Sequence, residues 1–363
     1  MFRSPICVSP RIRAVLSALA FLVAGKLPSL ADQTQPTNPH SLAELLKGAS
    51  KSPTQQDVAL ANLLCAEGLP GAEGLDIQAS LALLDSMALR VASETARNRY
   101  RFERNAAEFE SSEAYFKMIF LVVVLQEDFG IHYNPAKISA VGNGESDEVF
   151  FADSNDILIN GLLGARRAGT CSSMPVLYAA VGRRLGYPLK LVTAKAHLFV
   201  RWDDGKERLN LEATNRGLSV NPDSYYKNWP YPITAEEEQR GLYLKNLTAP
   251  EEIALCLEAR SQVLKAHKRF AEAADMLRQA MLLAPRWAEM HVFFLRDIGR
   301  VQRTQLADNE RPPFTNAEIV AHYEAMIRFN NEQHTYQERL RAFQQGRAPF
   351  PLNPLPPQPP TLR

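Results

Sequence analysis

From Gln55 to Phe129 the apolar residues recur at helical spacing. Val58, Leu60, Ala61 and Leu64 share one helix face, and Asp76 is placed to cap a helix carrying Leu81, Leu84, Met87 and Val91 on one side. Phe116–Leu125 is almost continuously apolar, the mark of a helix buried on most sides; a membrane span needs a run of about 18 or more. A helix is predicted over Ile157–Ala165 and a second opening at Cys171, where Met174, Leu177, Tyr178, Val181 and Leu185 follow a 3.6-residue period. Pro175 falls in its first turn, where a missing N–H costs nothing, and Gly186 with Pro188 closes it. The period then drops to two. Leu189–Thr193, Ala196–Trp202 and Glu207–Thr214 read as strands, with Asp203-Asp204-Gly205-Lys206 as a hairpin turn. The fold class predicted is α+β, with helices packed on a small antiparallel sheet.

The flanks are different in kind. Arg3, Arg11 and Arg13 precede an apolar run from Ala14 to Gly25, and Ser29-Leu30-Ala31 supplies small residues at the exit, the tripartite pattern of a secretory signal over residues 1–31. Residues 32–54 are polar and proline-containing and read as a linker with at most a short helix at Ser41–Lys47. Residues 130–155 hold Gly130, Pro135, Gly142-Asn143-Gly144 and the acids Glu145, Asp147 and Glu148. They read as a solvated loop, since the spacing fits no EF-hand. Residues 222–250 are rich in Tyr, Trp and Pro and are expected to pack over the sheet or the cleft. Within a helical region at 251–345, residues 254–287 fit one 34-residue tetratricopeptide unit, with Leu257, Ser261, Leu264, Ala273, Leu277, Ala280 and Pro285 in register. A further helix is predicted over about Asn316–Gln345, and the segment 346–363 is proline-rich, an extended spacer or a ligand for an aromatic groove.

Composition narrows the function. Apolar residues make up 46% of the 363, ample for a packed core, which excludes a disordered or fibrous chain. Net charge is +1, and loss of residues 1–31 removes four basic side chains and no acid, leaving −3. With neither basic excess nor basic stripe, no nucleic-acid partner is expected. Cys7 would leave with the signal. Cys65 and Cys256 sit in helical apolar patterns and read as small buried hydrophobes, whereas Cys171 does not. His132, His267, His291, His322 and His334 lack metal-ligand spacing, and no glycine loop is built to cradle phosphate, so neither metal nor cofactor is expected.

Gly169-Thr170-Cys171-Ser172-Ser173 reads as a turn presenting a thiol at a helix start, where unpaired amides favour the thiolate and would meet a developing oxyanion. A two-residue loop at Asp204-Gly205 pairs Asp203 with Lys206, and a four-residue loop about the same centre keeps the same register. Continuing that ladder sets His197 directly opposite Glu212, with Cβ atoms about 4.5–5.5 Å apart. A carboxylate beside an imidazole fixes its tautomer and makes it a better base, which a nucleophilic cysteine needs.

The segments Arg167-Ala168-Gly169-Thr170-Cys171, Arg184-Leu185-Gly186-Tyr187-Pro188-Leu189-Lys190-Leu191-Val192, Ala196-His197-Leu198-Phe199-Val200-Arg201-Trp202 and Leu209-Asn210-Leu211-Glu212-Ala213-Thr214 resemble the core of the bacterial transglutaminase-like superfamily. The helical stretch before them and the repeat unit after them resemble the branch fused to tetratricopeptide repeats. The resemblance implies a papain-like domain over about 55–250, with Cys171 as nucleophile, His197 as base and then acid, and Glu212 as orienting acid. It implies an exported thiol enzyme acting on amide bonds of a peptide or protein through a thioester, as peptidase, amidase or acyltransferase, with the repeat holding a protein partner. The alternative is a non-catalytic peptide- or protein-binding module on the same fold. Two features depart from the family. The acid is more typically Asp followed by Pro, whereas Glu212 precedes Ala213 and is one methylene longer, so Glu212→Asp is expected to be mild. The repeat-fused branch often lacks the cysteine, which is present here.

Overall fold

The structure, a computed structural model, describes residues 39–51, 57–137 and 147–305. The signal-peptide reading, the Gly142-Asn143-Gly144 motif, the helix expected over Asn316–Gln345 and the proline-rich tail lie outside these residues.

The helices predicted from periodicity form a tight front. Helix α1 (Leu42–Lys51) extends the short helix expected at Ser41–Lys47 and buries Leu45. Helix α2 (Val58–Ala66) is buried along its whole length, and Asp57 caps it by accepting from the Ala59 amide at 2.9 Å. Helix α3 (Ile77–Arg97) is capped by Asp76, whose carboxylate accepts from the Ala79 amide at 2.9 Å, and it buries Leu84, Met87 and Val91 as the pattern requires. Helix α4 (Glu113–Val123) runs into a π-type turn at Val124–Asp128. Among the described residues no helix is long and apolar enough to cross a membrane.

Residues 130–137 and 147–155, the described part of the stretch read as a loop, carry regular structure. Strand β1 (His132–Tyr133) pairs in parallel with strand β2 (Ala168–Gly169). Between them lie short helical turns at Asp147–Phe150, Ser154–Ile157 and Asn160–Leu163. The single helix expected over Ile157–Ala165 is therefore broken. Leu158 takes extended backbone, while the Asn160 side chain bonds back to Ser154 and Asn155 at 3.1 Å each, local bonds that compete with a continuous helix.

Helix α5 (Met174–Arg184) is the axle of the core. It is buried from Met174 to Gly182 and meets α2, α3, α4 and the sheet. Each fully buried Leu, Val or Met on it contributes about 1.5–3 kcal/mol. A Cβ at Gly182 would lie 2.2 Å from a Leu189 methyl, so the helix approaches the sheet as closely as a glycine permits. The sheet is antiparallel, in the order β3 (Leu189–Ala194), β4 (His197–Asp203), β5 (Arg208–Leu211). Helices α6 (Ala249–Ala266) and α7 (Phe270–Leu283) pack as a hairpin in which the Ser261 hydroxyl donates to the Ala273 carbonyl at 2.8 Å, and α8 (Ala288–Gln305) follows. Arg183 on α5 grips Glu252 on α6 with two bonds of 2.8 and 2.6 Å. The chain is thus α+β in the broad sense expected.

The β4–β5 register differs from the sequence reading by two residues. Trp202 pairs with Leu209 and Asp203 with Arg208, so the loop is Asp204–Glu207, centred one residue later than expected. The cause is Asp204, whose carboxylate accepts from both the Lys206 and Glu207 amides at 2.8 Å, with Gly205 at φ 81° completing the turn.

Candidate functional site

The thiol sits on a turn, not on the helix. Helix α5 begins at Met174 with Ser173 at its N-cap position, so Cys171 lies just ahead of it and the expected helix-start position is corrected. Hydroxyl side chains cause this. The Thr170 amide donates to Ser173 Oγ at 3.0 Å and the Ser172 amide to Thr170 Oγ1 at 3.3 Å, which folds residues 170–173 on themselves. Both hydroxyls then donate to the carbonyl of Asp156, at 2.8 Å from Thr170 and 3.0 Å from Ser173. A Cβ at Gly169 would fall 2.5 Å from Ser173 Oγ, so only glycine fits before Thr170.

Asp156 is itself a hub. Only 2% exposed, its carboxylate takes the Asn134 amide at 2.7 Å, Arg166 at 3.0 Å and Lys137 at 3.3 Å. Three donors, two of them cationic, compensate a buried charge that would otherwise be costly. The Cys171 turn is thereby fixed to a point that does not move.

His197 is the first residue of β4, presented by the two-residue turn Lys195-Ala196, in which Ala196 takes φ 60°. That left-handed backbone costs a non-glycine residue about 1–2 kcal/mol. Imidazole Nε2 lies 2.8 Å from Glu212 Oε2. The pair is diagonal, not directly opposite: β5 leaves the ladder after Leu211, which pairs with Val200. The longer Glu side chain spans the offset. Glu212 is 1% exposed and fully engaged, with Oε1 accepting from the Thr214 amide at 3.1 Å and hydroxyl at 2.5 Å, and Oε2 from the Tyr226 hydroxyl at 3.3 Å.

Aromatic rings close the site, as expected of residues 222–250. Tyr226 stacks on Phe199 at 3.8 Å, and Trp229 stands edge-on to the His197 ring at 4.6 Å. Burial works against the imidazolium. Hydrogen bonds to Cys171 and Glu212 and their charges outweigh it, and His197 is raised to about 9. Burial likewise works against the Glu212 carboxylate, but His197 and the Thr214 donors hold it below the ordinary range. The structure brings Cys171, His197 and Glu212 together. The other two thiols behave otherwise: burial pushes Cys65 well up and Cys256 to about 12. Among the described residues no cluster of His, Cys, Asp and Glu is placed to hold a metal ion.

Comparison with models of known families, with curated proteins and with solved structures finds no match to this chain. What the site can do rests on its own geometry. Sequence reasoning missed Asp156, Thr214, Tyr226 and Trp229 as individuals. The aromatic run at 225–231 was the signal for the last two; Asp156 offered none.

Proposed function

We propose that this chain is an exported thiol enzyme with a papain-like, transglutaminase-type core, acting on amide bonds of a peptide or protein. One observation carries the reading: a single buried imidazole is bonded at 2.8 Å to a buried carboxylate, and the Cys171 thiol is near enough to help raise it. With Nε2 committed to Glu212, Nδ1 is the nitrogen left for sulfur. Glu212 fixes that tautomer and stabilises the imidazolium.

The sulfur attacks the amide carbonyl, a C–S bond forms, and the carbonyl π electrons move onto oxygen. When the C=O re-forms, the C–N bond breaks and the imidazolium gives its proton to the departing amine. Water or a second amine then attacks the thioester, yields its proton to His197, and the thiolate leaves. The helix pair α6–α7, as a tetratricopeptide-like unit, would hold a protein partner.

The test is the pH–rate profile of alkylation by iodoacetamide, read by mass spectrometry at each cysteine. Cys171 should react first and at a nearly constant rate from pH 6 to 8, whereas an ordinary thiol near 8.5 speeds up about tenfold per unit. His197→Ala should restore that slope. The second reading, a non-catalytic peptide-binding module, draws on Tyr225, Trp229 and Tyr231, which stay 36%, 39% and 56% exposed, with Trp229 edge-on to His197. Superimposable wild-type and variant profiles, both rising tenfold per unit, would put it in front.

A further inference from the structure

A thiol that attacks a carbonyl needs donors aimed at the oxygen that becomes negative, and the helix-start position expected to supply them is not where Cys171 sits. Two donors remain near it. The first is its own amide: the Thr170, Ser172 and Ser173 amides are all used within the turn, but the Cys171 amide donates no hydrogen bond among the described residues. The second is the hydroxyl of Tyr133.

Tyr133 and Cys171 are carried by one rigid unit. Tyr133 pairs with Gly169, two residues before the cysteine, and the flanking bonds run from His132 N to Arg167 O at 3.1 Å and from Asn134 N to Gly169 O at 2.8 Å. The Asn134 side chain is tied to Asp156, the residue whose carbonyl holds Thr170 and Ser173. The Tyr133 ring is half-buried against the main core, and its hydroxyl makes no hydrogen bond among the described residues.

Burial, then the charges of Cys171, Asp156 and Glu212, all raise the phenol, so it keeps its proton at any physiological pH. Cys171 acts on it through its charge, and no hydrogen bond joins the two side chains among the described residues. Three other donors in the neighbourhood are spent: the Asn134 amide on Asp156, and the Thr214 and Tyr226 hydroxyls on Glu212.

We propose that the Tyr133 hydroxyl and the Cys171 amide together form the oxyanion site for acyl substrates of Cys171. This rests on the thiol-enzyme reading above and adds a catalytic residue to it.

Two reactions of the same sulfur separate this role from a structural one. Alkylation by iodoacetamide displaces iodide at a saturated carbon and creates no oxyanion. Acylation by p-nitrophenyl acetate passes through a tetrahedral oxyanion and releases nitrophenolate. Tyr133→Phe keeps the ring and removes only the hydroxyl. It should leave the melting temperature and the alkylation rate of Cys171 within about twofold of wild type and slow acylation about a hundredfold, the cost of one lost oxyanion donor. Acylation within threefold of wild type would overturn the proposal. So would an equal fall in both rates, which would make Tyr133 a support of the Cys171 turn. If wild-type Cys171 is acylated no faster than a free thiol, with a tenfold rise per pH unit, the thiol-enzyme reading falls and takes this one with it.

Discussion

Among the described residues two buried histidines each lie beside a glutamate, and the two pairs differ in ways that matter more than their likeness. His197 and Glu212 meet at 2.8 Å, and the acid has three further donors from Thr214 and Tyr226. His291 on α8 lies 3.3 Å from Glu258 on α6, but out of line. Neither ring nitrogen of His291 finds a hydrogen bond among the described residues, and its ring stands edge-on to Trp287 at 6.4 Å. One pair is directed and its imidazole is raised in part by a nearby thiol; the other is two neighbours between helices. Proximity of imidazole and carboxylate is therefore cheap. A site requires that the acid be saturated by donors and that the second nitrogen have something to act on.

The largest effect that separates the pairs should come from the acids. Glu212→Gln should lower acylation of Cys171 by p-nitrophenyl acetate about a thousandfold or more, through loss of the tautomer-fixing charge, while Glu258→Gln leaves it unchanged. Equal effects would erase the distinction. Glu212→Asp sharpens the point. The sequence alone leads to the expectation of a mild effect, but the diagonal register makes the full side-chain length necessary, and shortening it by about 1.5 Å breaks a 2.8 Å bond. The Asp variant should thus fall close to the Gln variant; activity near wild type would show that the sheet can slide to meet it.

The smallest effect is on stability. His197 titrates near 9 when folded and about 6.5 when unfolded, so its contribution is complete below pH 6.5 and is lost as pH rises through 9. Glu212, held below its ordinary value, contributes above about pH 4.5 and loses that contribution as pH falls through its lowered folded value. Wild type should therefore melt at a falling temperature between pH 6.5 and 9.5, and His197→Ala should melt lower at pH 6.5 with a flatter alkaline limb. Parallel alkaline limbs in thermal scans would contradict this.

The three central residues were legible because each stood on a strong local pattern: Cys171 after a glycine turn before a helical period, His197 and Glu212 on alternating strands. The misplaced hairpin did no damage to their pairing, for a physical reason. Side chains alternate with a period of two, so a register shift of two residues keeps both on one face, whereas a shift of one would have sent them apart. The turn chemistry of Asp204 was what the reading missed. Tyr133 and Asp156 were illegible for another reason. They lie in a stretch without periodicity, and they matter only through contacts with residues 14 to 36 positions ahead. Trp229 was visible as one of a crowd of aromatics, not as the ring beside His197.

The hairpin that joins His197 to Glu212 also sets an order of assembly. The two residues are 15 apart along the chain, joined by a turn that Asp204 closes with its own carboxylate, so bringing them together closes a short loop at small entropic cost. Cys171 is separated from His197 by the whole of α5, and its turn is held by Asp156 and, through Asp156, by Asn134. Base and acid can therefore find each other early, while the nucleophile is delivered last, when the core around α5 has closed. A chain caught part-way would carry a formed imidazole–carboxylate pair and a sulfur not yet brought beside it. Stopped-flow refolding should show hairpin amide protection rising before rapid Cys171 alkylation; the reverse order would refute this sequence of events.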